Sequence, residues 1–159
     1  MALTNFPNGI AAPGVANAVI SVPLNLAQTG TKTIFTVSGQ PILVRAIFGI
    51  VTTAVQAQAN ATKLQVVCTG LSAVDICATG DINGLTVGNL LMPITSFATA
   101  LPVNLANGVG VAITPTSFVM NAGVIRLNCA ASNTGQVQWY ISYTGLDATG
   151  ASTVVAASS

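Results

Sequence analysis

GVIRLNCAASNTGQVQWYISYTGL, residues 123–146, is the stretch whose reading decides the fold. Ile125, Leu127 and Cys129 alternate with Arg126 and Asn128. Further on, Val137, Trp139, Ile141 and Tyr143 alternate with Gln136, Gln138, Tyr140 and Ser142. Successive side chains of a strand point to opposite faces, so each half of the stretch has one apolar and one mostly polar face. Ser132-Asn133-Thr134-Gly135 supplies turn residues between the halves. The pattern predicts a β-hairpin. The single Trp and both Tyr of the chain fall in its second strand, which makes it the predicted centre of the core.

Working outward, the same short-range pattern recurs. Val15–Leu24 alternates weakly, and Pro23 suits a strand end at a sheet edge. Lys32–Ser38 reads as a strand with Ile34 on one face and Phe35 and Val37 on the other. Ile42–Val51 is the strongest run. Ile42, Val44, Ala46, Phe48 and Ile50 fall on one face, and Leu43, Arg45, Ile47 and Val51 on the other. Two apolar faces predict a central strand or one packed on both sides. Arg45 is then aimed at a subunit interface, at a carboxylate such as Asp75 or Asp147, or outward to water along its stem.

Lys63–Thr69, Val74–Ala78, a short piece within Leu85–Met92, Gly110–Thr114, Ser117–Met120 and an edge strand at Ser152–Ala156 complete the set. Ala54–Thr62, rich in Gln, Ala and Asn, fits either a strand extension or a loop. No segment has a convincing helical period. Eight or nine short strands with turn signals between them predict an all-β chain. The architecture is a single antiparallel β-sandwich of jelly-roll or related Greek-key type. Residues 1–14 stand apart as an extended N-terminal arm, with residues 15–159 forming the sandwich. Two Pro and two Gly deny the arm a period, while Leu3, Phe6 and Ile10 give it apolar anchors. Such an arm gains stability only where its anchors are covered, about 1.5–3 kcal/mol for a large side chain.

Charge is the unusual quantity. Of 159 residues only 4% are charged, with four Lys or Arg, three Asp, no Glu and no His, while 52% are hydrophobic. About a quarter of an average composition is charged. The exterior must therefore be built from small neutral polar groups and methyls. Such a surface repels its own copies weakly and matches the charge-depleted centres of protein interfaces.

The same scarcity excludes most chemistry. Without His or Glu, no Ser-His-Asp or Cys-His arrangement can be assembled, and general acid–base catalysis loses its usual groups. Cys68, Cys77 and Cys129 lack zinc spacing. Their odd count reads as buried small hydrophobes in a protein made in a reducing cytoplasm, although Cys68 and Cys77 could pair if their strands were neighbours. Three dispersed Asp do not make a calcium site, and the Gly-rich spots lack the Lys and helix of a phosphate loop. The chain reads as a non-enzyme with no cofactor and no metal. Lys32, Arg45, Lys63 and Arg126 are scattered, so no nucleic-acid partner is expected. The N-terminus has no basic region of the signal-peptide kind. Mean hydropathy is high at +0.74, but the longest apolar run, Pro41–Val55, is short of the ~20 residues of a spanning helix and contains Arg45, so no membrane partner is expected.

Both ends of the chain carry a resemblance. Leu-Thr-Asn-Phe-Pro-Asn-Gly-Ile at 3–10 is similar to the start of many small tailed-phage virion proteins. So are Gly-Val-Ile-x-Leu at 123–127, Gly-Gln-Val-Gln-Trp-Tyr-Ile-Ser-Tyr at 135–143 and Leu-Asp-Ala-x-Gly-Ala at 146–151. Together these pieces cover about a third of the chain, and it resembles the head decoration (cement) proteins of tailed bacteriophages. The resemblance implies a β-sandwich on the capsid exterior, commonly trimeric, that binds the major capsid protein and clamps neighbouring capsomers. Leu3, Phe6, Pro7, Ile10 and Arg45 are the partner-contact residues under this reading. The rival readings are a glycan-binding fibre or tip module, for which Tyr140 is the exposed aromatic, and a self-assembling shell or filament subunit.

Overall fold

The computed structural model describes residues 16–27, 29–93, 97–103, 117–147 and 152–157. The described residues form strands and connections without a helix, and the strands lie in two antiparallel sheets packed face to face. One sheet, the β12 sheet, holds β1 (Asn17–Ile20), β2 (Leu24–Asn25), β4 (Ile42–Thr53), β8 (Leu90–Leu91), β9 (Pro102–Val103), β10 (Phe118–Met120) and β12 (Gln136–Gly145). Its order is β1-β12-β4-β8-β9, with β2 beside β12 and β10 beside β4. The other, the β11 sheet, holds β3 (Gly30–Ser38), β5 (Ala61–Cys68), β6 (Val74–Asp75), β7 (Gly80–Asp81), β11 (Gly123–Cys129) and β13 (Thr153–Ala156). Its order is β13-β3-β11-β5-β6, with β7 beside β5. The pairings nest: β1 with β12, β3 with β11, β4 with β8 and β10, β5 with β6 and β7. The chain changes sheets from β3 to β4, from β4 to β5 and from β11 to β12, so the two layers form a β-sandwich.

The organising stretch is central, but it is not a hairpin. β11 pairs with β3 and β5, whereas β12 pairs with β1, β2 and β4. Residues 130–135 therefore cross from one sheet to the other, a step of about 10 Å. Each half becomes an interior strand of its own sheet. Trp139, Tyr143, Ile125 and Leu127 meet in the space between, all nearly fully buried. Gly49 lies opposite Trp139, and a Cβ there would sit 2.6 Å from Val137 Cγ1 and 3.0 Å from Trp139 Cε3. The missing side chain makes the space that the indole fills.

Three bulges set which residues face inward. Ser142 pairs with Ala46 but Tyr143 with Val44, so Arg45 is an extra residue on β4. Inward parity changes there: Ile42 and Val44 are buried before it, Ile47, Gly49 and Val51 after it. The expectation that Ala46, Phe48 and Ile50 share a face with Ile42 and Val44 is corrected by that bulge. Ile34 is the extra residue on β3, between the partners of Ile125 and Arg126, which is how the consecutive Ile34 and Phe35 are both buried. Thr52 is skipped in the same way near the end of β4.

Other expectations met the structure unevenly. Residues 54–60 are a loop, and only Ala61–Thr62 of that segment joins β5. The expected strand at Val74–Ala78 shortens to Val74–Asp75, with Ala78 making a lone bridge to Ala100. The expected edge strand at the C-terminal end is β13, on the free side of β3. The expected strand at Gly110–Thr114 lies outside the described residues.

One end of the sandwich is closed by buried amides. Asn60 and Asn133 are almost fully inaccessible. Asn60 Nδ2 donates to Asn133 Oδ1 at 2.6 Å and to Ala131 O at 2.9 Å, and its Oδ1 accepts from Ala131 N at 3.0 Å. Asn133 Nδ2 donates to Gln56 O and Gln58 O. The pair thus ties the crossing 130–135 to the loop 54–60. Asp81 Oδ1 accepts from Asn60 N and Asn83 N, adding the turn after β7. A buried polar group that loses its partner costs about 1–3 kcal/mol. Asn133→Ala removes one side of the three bonds to Asn60 Nδ2, Gln56 O and Gln58 O, so its urea-unfolding midpoint should fall by the equivalent of about 1–3 kcal/mol; an unchanged midpoint would show that the crossing does not depend on the amide pair.

Candidate interaction surface

The two outer faces of the sandwich differ in kind. On the β11 sheet the register aligns Thr33, Arg126, Gln65 and Asp75 in one row and Thr31, Asn128 and Lys63 in the next. Arg126 Nε donates to Gln65 Oε1 at 3.0 Å, Gln65 Nε2 to Asp75 Oδ1 at 2.7 Å, and Lys63 Nζ to Asp75 Oδ2 at 2.7 Å. Three of the seven charged residues of the chain are therefore joined in one hydrogen-bonded strip. Lys32 faces the other way. It lies opposite the inward Leu127 and reaches across the sandwich to donate to Asn25 O of β2.

The β12 sheet presents the opposite character. Its outward residues, read from the register, form rows across the strands. Val119, Leu43 and Thr144 make the first; Ala46, Ser142 and Ala18 the second; Phe48, Tyr140 and Ile20 the third; Leu90, Ile50 and Gln138 the fourth. Phe48 and Tyr140 stack with centroids 4.9 Å apart and planes 8° from parallel. Ile20 is 55% exposed and Val119 60%. Tyr140 and Gln138 already have partners: Tyr140 Oη donates to Gln138 Oε1 at 3.1 Å, and Gln138 Nε2 donates to Ser21 O at 3.2 Å. Covering such a face with protein strands few polar atoms, so its dehydration is inexpensive.

Arg45 is the one charged residue among these rows. The bulge carries it to the exposed side, between the first and second rows, where its Nε donates to Thr144 Oγ1 at 2.7 Å. Of its expected partners, Asp75 lies on the other sheet and is held by Lys63 and Gln65. Leu3, Phe6, Pro7 and Ile10 lie outside the described residues. The first described strand, β1, pairs Asn17 with Tyr143 at the end of this sheet's strand order. Sequence reasoning missed the face as a unit because it assigned Phe48 and Ile50 to the side of Val44. The signal that could have found it was Arg45 itself, a charge interrupting an apolar run, the kind of position a bulge turns outward.

The cysteines are free thiols. Cys77 Sγ accepts from Leu64 N at 3.1 Å, and Cys68 lies four residues along the same strand from Leu64, about 13 Å. That is beyond the reach of a disulfide, which rules out the pairing of Cys68 with Cys77 without backbone movement. Burial pushes the Cys77 and Cys129 thiols and the Tyr143 phenol above their ordinary values. Hydrogen bonds from Lys63 and then Gln65 hold the Asp75 carboxyl below its own. Among the described residues no group of three Cys or Asp side chains is placed to hold a metal ion, and no helix is long and apolar enough to cross a membrane. No family model, curated protein or solved structure matches the chain.

These shifts give a pH profile with a definite sign. Groups whose folded pKa is raised stabilise below their unfolded pKa, so the contributions of Cys77, Cys129 and Tyr143 are lost as pH climbs beyond about 9–10. Asp75, with a depressed folded pKa, stabilises above about pH 4 and loses that small, solvent-screened contribution in acid. With no His and no Glu, the chain lacks the side chains that ordinarily titrate between. Thermal melts should show a flat Tm from about pH 5 to 8 and a fall above about pH 9; a slope across the neutral range would contradict this assignment.

Proposed function

We propose that this chain is a structural virion protein that binds the outside of a tailed-phage capsid and clamps neighbouring capsomers. The observation that carries the reading is the outer face of the β12 sheet, an almost uncharged surface whose Gln138, Tyr140 and Thr144 side chains are already bonded within the chain. It supports a partner that is itself protein, because dry contact on a neutral sheet face gains by covering area and not by meeting a charge. The likeness of residues 3–10, 123–127, 135–143 and 146–151 to decoration proteins supports the capsid as that partner. A β-sandwich is compatible with capsid and lectin domains alike and does not choose between them. Under this reading the protein is no enzyme, needs no cofactor, is made in the host cytoplasm and ends on the capsid exterior. It acts as an oligomer, a trimer if the resemblance extends that far.

The glycan-binding alternative is less well supported. Trp139 and Tyr143 are fully buried, and Tyr140 is stacked on Phe48 with its hydroxyl bonded to Gln138, which leaves no free aromatic platform among these three.

The arm is the part of the reading easiest to test. Deleting residues 2–12 removes Leu3, Phe6, Pro7 and Ile10 and stops short of β1, which begins at Asn17. The truncated protein should keep the near-ultraviolet signature of buried Trp139 and should no longer co-sediment with undecorated heads of its own phage. Co-sedimentation at full strength would refute the arm's role.

A further inference from the structure

Resting on the reading that the outer face of the β12 sheet meets a capsid, we infer that the capsid presents a carboxylate there, and that Arg45 receives it through the two Nη groups of its guanidinium.

Three observations carry this, and the first is how the side chain is held. Nε of Arg45 donates to Thr144 Oγ1 at 2.7 Å, and Thr144 is only 4% exposed. That bond lays the guanidinium down on the face instead of letting it run out along its stem to water. It also fixes the plane of the group and leaves the Nη edge, which meets a carboxylate through two parallel hydrogen bonds. The main chain is pinned as well. Arg45 is the extra residue of its bulge, and its carbonyl accepts from Ser117 Oγ at 3.3 Å. A cation held in place before binding loses little freedom on meeting its partner.

The second is that no carboxylate of the described residues answers it. The one ion pair among them is Lys63–Asp75, on the other sheet. Asp81 accepts from Asn60 N and Asn83 N, and Asp147 from Ser152 Oγ. Lys63 and Arg126 share their face with Asp75, whereas Arg45 has no such neighbour on its own.

The third is what surrounds it. Leu43 and Val119 lie in the row on one side of Arg45, and Ala46 in the row on the other. None can balance a charge. Protein laid over these rows removes water from the guanidinium, and an unpaired charge so covered is strongly unfavourable. A covering surface with a carboxylate at this point is accepted, and one without it is rejected. A single pair on a neutral face thus sets which protein fits and in what register.

The test is co-sedimentation with undecorated heads of the phage over a concentration series. It compares the wild type, Arg45→Met, Arg45→Lys, Thr144→Val and the chain carrying both Arg45→Met and Thr144→Val. Near-ultraviolet circular dichroism of Trp139 shows that each is folded. Met keeps the stem of Arg45 and removes its charge, so the sign of the change decides. A paired Arg45 predicts binding weakened about thirtyfold or more. Arg45→Lys, a charge without the fork, should fall between the two. Thr144→Val should weaken binding when Arg45 is present and change nothing further beside Arg45→Met, a dependence that a merely structural role would not produce. Arg45→Met that binds as tightly as a binding wild type, or more tightly, overturns the inference and leaves the capsid reading standing. So does a loss from Thr144→Val that is equal in both backgrounds. A wild type that does not bind the heads overturns the capsid reading and this inference together.

Discussion

Between Cys129 and Gln136 the chain has six residues in which to leave one sheet, cross the thickness of the core and enter the other. The rest of the architecture depends on that step. Because β11 and β12 are each interior to a sheet, the crossing fixes the distance and register between the layers on which the other strands are laid. It also delivers Trp139 and Tyr143 into the core within a few residues of the turn. A crossing of this kind leaves backbone and side-chain amides in a region that water cannot reach. The structure answers with Asn60 and Asn133, two neutral side chains that donate and accept among themselves and the main chain. Neutral amides suit the place. A charged pair at the same depth would carry a desolvation penalty of several kcal/mol per ion.

The fold class was legible in the sequence, and the reason is physical. Alternation with period two survives any arrangement of strands, so the strands at Lys32–Ser38, Ile42–Val51 and along 123–146 could be read from residue type alone. Pairing could not. A turn-rich loop between two alternating segments looks the same whether the chain doubles back within a sheet or arches to the opposite one, and the difference lies in partners distant in sequence. β11 finds β3 and β5, and β12 finds β4, through contacts that no local pattern encodes. The buried Asn60–Asn133 pair was likewise invisible, since two Asn 73 residues apart in loops carry no mark of meeting.

The surface was harder to read than the core because bulges erase parity. One extra residue at Arg45 exchanges inside and outside from Ala46 as far as Val51 on β4, so Phe48 and Ile50 belong to the exterior. That single step turns an apparently double-sided apolar strand into one with a buried face and an interaction face. It also explains how a chain that is 52% hydrophobic distributes its excess: much of it lies on one outer face, while three of the seven charged residues are joined on the other. The anchors expected at Leu3, Phe6, Pro7 and Ile10 belong to a segment whose meaning depends on a partner, and an unpatterned arm records its anchors without recording what they touch.

A neutral sheet face covered by protein is the centre of this account, and hydroxyl-radical footprinting addresses it at the residues concerned. Oxidation of Phe48 and Tyr140 should fall when the protein is bound to undecorated heads of its own phage, while that of Val155 and Val124 on the other sheet stays constant. Equal and unchanged oxidation of both faces on binding would contradict it.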